Sequence, residues 1–346
     1  MQKDKQTAIS EIGEFGLIER LNPKKENKQA STIKGVGDDA AVLEFGNKYI
    51  LVTTDMLAEG THFNLVYTPL QHLGYKSMIV NLSDIYAMNG RPTQVTVSLA
   101  ISAKFSVEHL EELYKGIHLA CEKHGVDLVG GDTTSSLTGL TISITCLGEV
   151  EKNKITYRNG ANPTDLVCVS GNLGGAYVGL QVLEREHKLF SENENFSPKL
   201  DGYEYILKRQ LKPEARKDTI ELLDNLSIVP TSMMDISDGL SSEMFHICTQ
   251  SKTGADIYQE KVPIDMETAE TARELNIDPL TCALNGGEDY ELLFTIPIRD
   301  HEKIMDQQGI TIIGHITELK NGLNLVTQDE RKIALQAQGW DPLKGS

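Results

Sequence analysis

Five short segments of the sequence place aspartate beside glycine, serine or threonine at the end of an apolar or β-branched run. They are Gly37-Asp38-Asp39-Ala40, Thr53-Thr54-Asp55, Asn81-Leu82-Ser83-Asp84, Gly130-Gly131-Asp132-Thr133 and Asp235-Ile236-Ser237-Asp238-Gly239. A strand that ends on a carboxylate delivers that group to one edge of a sheet, where loops build functional sites. Carboxylates gathered there repel one another unless cations neutralise them, and oxygen ligands without clustered His or Cys select magnesium or calcium over zinc. The pattern therefore predicts a site for divalent cations.

Each aspartate taken alone has a simpler interpretation as a helix N-cap or a turn residue, since Asp, Ser and Gly dominate both positions. The segment from Asp235 to Glu243 also has the pattern of a capping box. Five such segments in one acidic chain favour the cation site over five separate caps.

Two glycine-rich segments could let backbone N–H groups approach a phosphate. Gly130-Gly131 lacks side chains that would obstruct an anion, and a simple turn is its alternative. Gly171-Asn172-Leu173-Gly174-Gly175 opens a predicted helix, where close helix–strand packing is favoured over anion binding. The sequence contains no P-loop motif, no G-x-G-x-x-G after a strand, no H-E-x-x-H and no G-x-S-x-G. These absences argue against the common nucleotide, zinc-protease and α/β-hydrolase sites.

Three single side chains near these segments are further candidates. Glu288, in Gly286-Gly287-Glu288-Asp289-Tyr290-Glu291, could pair with a cationic or hydrogen-bonding substrate, or could be a solvated acid at a hairpin entry. Arg158 fits a phosphate fork as well as a plain surface turn. His62 lies seven residues after Asp55, and a lone histidine is more often structural than functional.

The elements that position these groups mix strands and helices without a regular βαβ order. Residue patterns predict a strand from Tyr49 to Asp55, a helix over Leu70–Met88, a short strand over Val126–Val129 and a variable loop over His187–Tyr203. This order favours two α/β or α+β domains over one doubly wound sheet. Lys, Asn, Gly and Pro gather over residues 152–164, which predicts the domain boundary there.

Length and charge restrict the class of protein. The chain has 346 residues, enough for about two domains. Its 50 acidic and 33 basic residues give a formal net charge of −17, which disfavours nucleic acids and anionic membranes as partners. A phosphorylated small molecule is still compatible, because divalent cations can lie between it and an acidic site. The five cysteines form no C-x-x-C, and no apolar h-region or run of 18 apolar residues occurs. We therefore expect a cytoplasmic protein.

Read in order, these segments resemble the thiamine-monophosphate kinase family, within the superfamily that includes aminoimidazole ribonucleotide synthetase. Six motifs between about Gly35 and Asp341 support the resemblance: G-[IV]-G-D-D-A-A, T-D-x-x-x-E-G-x-H-F, N-L-S-D, G-G-D-T, D-x-S-D-G-L and G-G-E-D-Y-E-L. The resemblance implies a two-domain aminoimidazole ribonucleotide synthetase-like fold of the α/β (α+β) class. Residues 1–155 would form a mixed-sheet domain that binds metal and ATP and forms a homodimer. Residues 156–346 would form an α/β domain that completes the active site.

The resemblance further implies that ATP and thiamine monophosphate are the substrates and that several Mg²⁺ ions are needed. The product would be thiamine diphosphate, formed by direct in-line transfer. Matched family positions give the metal ligands as Asp39, Thr53, Thr54, Asp55, Asp84, Asp132, Asp235 and Asp238. They give the ATP contacts as Gly131, Asp132, Arg158 and Ser237, and the thiamine contacts as His62, Glu288 and, in a shifted register, Trp340.

No general base is assigned, because the attacking phosphate oxygen is already deprotonated at neutral pH. The reaction needs two anions held in line with their repulsion offset by metal ions, and Asp55, Asp132 and Asp235 are expected to be central to this.

Two other functions are kept as alternatives. An aminoimidazole ribonucleotide synthetase-like enzyme would have a lysine soon after the first T-D motif, where this chain has Met56-Leu57-Ala58-Glu59-Gly60-Thr61-His62-Phe63. A non-catalytic sensor that binds a phosphorylated ligand through Mg²⁺ would not need the full set of carboxylates. For Trp340, ordinary packing is the alternative.

Overall fold

The computed structural model describes residues 8–22, 27–192 and 197–336, which contain two β-sheets and ten α-helices. Six strands form the first sheet: β1 (Thr32–Lys34), β2 (Ala41–Phe45), β3 (Lys48–Ala58), β4 (Arg91–Ile101), β5 (Asp127–Ser135) and β6 (Thr141–Glu151). Their order is β1-β2-β3-β6-β4-β5, and β5 pairs in parallel with β4 while the other neighbours are antiparallel. The accompanying helices are α1 (Gly13–Leu21), α2 (Leu70–Ala87) and α3 (Val107–His124).

The second sheet follows in the chain and has seven strands. They are β7 (Leu166–Ser170), β8 (Ser232–Ile236), β9 (Thr253–Tyr258), β10 (Glu291–Ile296), β11 (Ile310–Glu318), β12 (Leu323–Val326) and β13 (Lys332–Ala334), in the order β13-β12-β9-β11-β7-β10-β8. Its helices are α4 (Gly175–Glu192), α5 (Glu204–Leu211), α6 (Lys217–Asn225), α7 (Leu240–Ser251), α8 (Met266–Glu274), α9 (Pro279–Asn285) and α10 (His301–Ile304). The predicted mixed α/β class is confirmed, and the predicted boundary after residue 155 falls between β6 and β7.

Helix α2 is the element that joins the two halves. It packs against α3 and the first sheet, and it also contacts β8 and α5 of the second half. Two glycines allow the close approach of α2 and α3, because a Cβ on Gly74 would lie 1.9 Å from the Leu113 carbonyl oxygen. A Cβ on Gly116 would lie 1.9 Å from the Gln71 carbonyl oxygen. Most of α2 is consequently buried, so polar side chains on it face a protein interior.

The expectation that the aspartates end strands is wrong for two of the segments. Asp55 lies inside β3, whose ladder with β6 continues to Ala58, and Asp132 lies inside β5, which pairs with β4 as far as Ser135. Asp84 lies inside α2, which matches the helix predicted over Leu70–Met88. The ladder and the helix are held by main-chain hydrogen bonds, which a polar side chain does not interrupt.

The predicted loop over residues 187–203 is also wrong in its first part, because α4 continues to Glu192. No Gly or Pro interrupts residues 187–192, and polar residues are common on an exposed final helical turn. Residues 193–196 lie outside the described ranges. No helix among the described residues has the length and apolar character needed to cross a membrane.

Candidate active site

Three aspartates from distant parts of the chain meet between the two sheets. Asp39 lies in the loop before β2, Asp84 in α2 and Asp235 in β8, and one carboxylate oxygen from each lies within 4.8 Å of the others. Asp55 of β3 adjoins them, because its carboxylate is close enough to that of Asp84 for the two to repel each other. We call these four residues the acid nest. Both halves of the chain contribute to it, with α2 and β8 in direct contact.

Neutral hydroxyl and amide groups fix the orientation of the acid nest. The Thr53 hydroxyl donates to Asp84 Oδ2 at 2.5 Å, and the Ser83 hydroxyl donates to Asp235 Oδ2 at 2.6 Å. The Asn81 side-chain oxygen accepts from the backbone N–H of Asp55 at 3.1 Å. The carboxylates of Asp84 and Asp235 and the backbone of Asp55 are therefore held in place by neutral groups.

Burial and mutual repulsion make the ionised form of these acids costly. Burial raises the pKa of Asp84 well above its usual value, and the charges of Asp55, Asp235 and Asp39 raise it further. Burial and the neighbouring Asp39 raise the pKa of Asp235 to about 7. Burial also raises the pKa of Asp55. A bound cation would reverse this penalty, because it favours the charged form of every ligand.

Arg158 is the cation that the structure places against the acid nest. Its Nε and Nη2 donate to Asp39 Oδ1 at 3.1 and 2.6 Å, and its backbone N–H donates to Asp38 Oδ1 at 3.1 Å. One guanidinium group offsets one of the four carboxylates and leaves the nest with an excess of negative charge.

The donor set fits a hard divalent cation. Asp39 Oδ2 and Asp55 Oδ2 are buried and have no hydrogen-bond partner within the described residues. Carboxylate and hydroxyl oxygens are the ligands that Mg²⁺ and Ca²⁺ prefer, and Mg²⁺ can keep water molecules in its remaining positions. Asp39, Asp55, Asp84 and Asp235 are thus the residues that could hold such ions.

Apart from Thr53, which orients Asp84, three predicted metal ligands are not members of the acid nest. Thr54 is exposed and its hydroxyl donates to the Ile144 carbonyl oxygen at 3.0 Å. Asp238 follows β8, and its backbone N–H donates to Glu243 Oε1 at 2.8 Å. The predicted capping box does not form, because the N-cap residue of α7 is Gly239, which has no side chain to accept a hydrogen bond. Asp132 is exposed on the edge strand β5.

The predicted Gly131–Asp132 phosphate contact faces a separate, shallow cavity of about 510 Å³ that Tyr114 also lines. Close packing against β4 explains the glycine at position 131, because a Cβ there would lie 1.8 Å from the carbonyl oxygen of Val97. At the other glycine-rich segment, before α4, a protein carboxylate already occupies the place that an anion would take. The Asp289 carboxylate already accepts from Gly174 N–H at 2.6 Å and from Ala176 N–H at 3.3 Å.

A cavity of about 460 Å³ opens beside the acid nest, and residues of both halves line it, including the predicted His62, Ser237 and Glu288. The Ser237 carbonyl oxygen accepts from Glu288 N–H at 2.7 Å, and the Ile236 carbonyl oxygen accepts from Tyr290 N–H at 2.9 Å. The end of β8 is therefore bound directly to the turn that contains Glu288. This places the cavity next to the Asp235 side of the nest. We call it the substrate pocket.

His62 is neutral at physiological pH. Burial and nearby Lys76 lower its pKa, although the charges of Glu288 and Asp55 oppose this. Its Nδ1 accepts from the backbone N–H of Ala58 at 3.0 Å, so the ring proton is on Nε2. The ring thus presents a hydrogen-bond donor at the pocket.

Sequence reasoning missed two residues that hold Glu288. Lys76 Nζ lies 2.9 Å from Glu288 Oε1, and Gln210 Nε2 donates to Glu288 Oε2 at 2.9 Å. Lys76 is only 3% exposed. A lysine among the apolar residues of the predicted helix over 70–88 was the available signal, because lysine is almost never fully buried without a partner. Trp340 lies outside the described residues.

Comparisons with known proteins agree with this architecture. Residues 37–150 match the family model described as AIR synthase related protein, N-terminal domain. The thiamine-monophosphate kinase of Buchnera aphidicola subsp. Schizaphis graminum is 36% identical over 96% of this chain and 99% of its own length. The thiamine-monophosphate kinase of Aquifex aeolicus is 34% identical over 96% of this chain and 98% of its own length. A solved structure described as AaThiL complexed with AMPPCP and TMP matches with a TM-score of 0.83 at 33% identity, covering 98% of this chain and 99% of that chain.

Proposed function

Because this chain belongs to the thiamine-monophosphate kinase family, we propose that it transfers the γ-phosphoryl group of ATP to thiamine monophosphate. The products are thiamine diphosphate and ADP. The family resemblance read from the six motifs is confirmed. The observation that most strongly supports the reaction is the acid nest, whose unpartnered carboxylate oxygens lie beside a pocket of substrate size.

The chain's own residues contribute positioning and charge. Asp39, Asp55, Asp84 and Asp235 hold Mg²⁺, with Thr53 keeping Asp84 in orientation. When bound, Mg²⁺ neutralises the two phosphate groups and aligns them for in-line displacement. No residue needs to remove a proton from the attacking phosphate oxygen.

Within this proposal, Arg158 and Ser237 face the nucleotide phosphates. His62 and Glu288 contact the thiamine part, consistent with their place on the wall of the substrate pocket.

The positions predicted to bind ATP through Gly131 and Asp132, and metal through Asp132, Thr54 and Asp238, stay part of the proposal. So does the homodimer, which is supported by β5, a nine-residue exposed strand at the edge of the first sheet. An unpaired edge of this length is a surface that a second chain can cover.

A cytoplasmic location is supported by the five cysteines, all of them buried and unpaired.

The test measures ADP release and thiamine diphosphate formation from ATP and thiamine monophosphate, with Mg²⁺ and with a chelator. Asp235→Asn should lower turnover at least about 100-fold, since it removes a charge that holds the metal at the reacting groups. Asp256→Asn is the matched control, because Asp256 is also buried but pairs with Lys332 in the second sheet.

Three outcomes distinguish the candidates. Mg²⁺-dependent thiamine diphosphate that is lost in Asp235→Asn and kept in Asp256→Asn supports the kinase. Mg²⁺-dependent binding of ATP without this product contradicts it, and favours a sensor or the aminoimidazole ribonucleotide synthetase-like reaction. Absence of nucleotide binding contradicts the assignment of the acid nest.

A further inference from the structure

The charged side chains that line the substrate pocket are few. Among the described residues they are Lys76, Glu184 and Glu288, and His62 is neutral. One positive and two negative groups leave the pocket with a formal charge of −1. The distribution of that charge depends on which carboxylate Lys76 neutralises.

Lys76 neutralises Glu288. Its Nζ lies 2.9 Å from Glu288 Oε1 and also donates to the Gln210 carbonyl oxygen at 3.1 Å. The other carboxylate oxygen of Glu288 accepts from the Gln210 side chain at 2.9 Å. Both oxygens of Glu288 are therefore engaged and its charge is offset before any ligand arrives.

Glu184 is held differently. It accepts a hydrogen bond from the Tyr67 hydroxyl and forms no ion pair with any residue in 8–22, 27–192 and 197–336. Burial and this carboxylate raise the pKa of Tyr67, which stays protonated and acts as the donor. The Tyr67 ring packs edge-on against His187, one helical turn away from Glu184, with centroids 5.9 Å apart. Tyr67 thus fixes the Glu184 carboxylate without neutralising it.

The wall around Glu184 suits a flat ring. Tyr177, Leu180 and Glu184 all line the pocket and lie at positions i, i+3 and i+7 on one face of α4. Phe63 and Ile277 contribute further apolar lining. This wall offers an aromatic and aliphatic surface next to a carboxylate that has no cationic partner among the described residues. Such a surface complements an aromatic ring that is itself positively charged.

We propose that Glu184, oriented by Tyr67, determines specificity by acting as the counter-ion for a cationic heterocycle and disfavouring a neutral ring of the same shape. The inference rests on the proposed function, in which the substrate contains a permanently cationic thiazolium ring. It assigns the selection of charge to Glu184, and leaves Glu288 as a hydrogen-bonding group held by Lys76.

The test compares kcat/KM for thiamine monophosphate with that for an analogue in which a neutral thiophene replaces the thiazolium. In the wild-type protein the cationic substrate should be preferred, and E184Q should lower that preference about 5-fold, mainly through KM, since Glu184 is exposed and water weakens its pairing with a cation. Turnover of the neutral analogue should be unchanged. Y67F keeps the charge but loses its orientation, so it should lower the preference only about 2-fold.

E192Q is the matched control, because Glu192 is an exposed residue of the same helix that does not line the pocket. It should leave the preference as in the wild type. A preference that survives E184Q, or that falls as much in E192Q, overturns the role of Glu184 while the kinase reaction stands. A wild-type protein that phosphorylates neither compound overturns the proposed function, and this inference with it.

Discussion

Within residues 8–22, 27–192 and 197–336, two buried acidic clusters differ in whether their charges are balanced. The acid nest brings four aspartates against one arginine. The second cluster, by contrast, lies at and just after the turn of residues 286–290. There Glu291 pairs with both Arg209 and Arg216, and its carboxylate accepts from the Ser170 hydroxyl at 2.5 Å. Asp289 pairs with Arg209 at 3.2 Å and caps the start of α4. We call this second cluster the arginine network.

The contrast appears in the acid–base properties of the two clusters. Burial raises the pKa of Glu291, but the two arginines lower it by more, so the pKa ends below its usual value. Burial and neighbouring acids leave the pKa values of Asp84 and Asp235 raised. Asp289 is intermediate, since burial raises its pKa although Arg209 lowers it. A cluster whose charges are balanced serves the fold, whereas an unbalanced one indicates a ligand of opposite charge.

The largest expected effect on stability comes from breaking the balanced cluster. Glu291→Gln removes the carboxylate shared by two buried guanidinium groups and should lower the free energy of unfolding by about 3 to 5 kcal/mol, measured by urea denaturation. Glu221→Gln, on the exposed face of α6, should change it by less than about 0.5 kcal/mol. A loss at Glu291 as small as that at Glu221 would show that the arginine network is not a stabilising element.

A smaller effect, of opposite sign, should come from completing the unbalanced cluster. Mg²⁺ at about 100 times its dissociation constant should stabilise the folded protein by about 2.7 kcal/mol, since it binds the folded state only. Thermal unfolding should move upward by about 5 °C. Asp84→Asn should abolish most of this increase, while Asp256→Asn should keep it. An equal increase in both variants would place the ions outside the acid nest.

Sequence reasoning located the acid nest because its members stand in short polar segments that interrupt apolar runs. It failed on part of their geometry, since Asp55 lies within a strand whose main-chain bonding continues past it, whereas the helix that contains Asp84 was predicted. Only the three-dimensional structure shows that Asp39, Asp84 and Asp235 converge while Asp132 lies on an exposed edge.

The substrate pocket was harder to predict because its polar contacts join distant parts of the chain. Tyr67 and Glu184 are 117 residues apart, and Lys76 and Gln210 are 134 residues apart. None of these four residues belongs to a recognisable motif. The turn of Glu288 also has positive φ angles at two non-glycine residues, 67° at Glu288 and 51° at Tyr290, which its residue types do not indicate.

The smallest expected net effect is the pH dependence of the metal-free protein, because Asp235 and His124 act in opposite directions over much of the same pH range. The pKa of Asp235, about 7 in the folded state, exceeds that of an unfolded aspartate, so the folded state binds the extra proton. The contribution of Asp235 to stability is therefore complete below about pH 4 and is lost as the pH rises towards 7, by up to about 1.4 kcal/mol per pH unit. His124 acts in the opposite direction, because burial lowers its pKa to about 4 and its contribution is lost as the pH falls below about 6.5.

Comparing the wild type with Asp235→Asn separates these two effects, since both proteins contain His124. In a chelator, thermal unfolding at about pH 4 should be similar for the two proteins, and at pH 8 the variant should unfold at the higher temperature. Saturating Mg²⁺ should reverse that order, because the wild-type carboxylate then has the cation that the acid nest lacks on its own. If the difference in unfolding temperature between the two proteins stays constant from about pH 4 to pH 8 in chelator, burial and the neighbouring acids do not raise the pKa of Asp235. The contrast with the arginine network would then no longer hold.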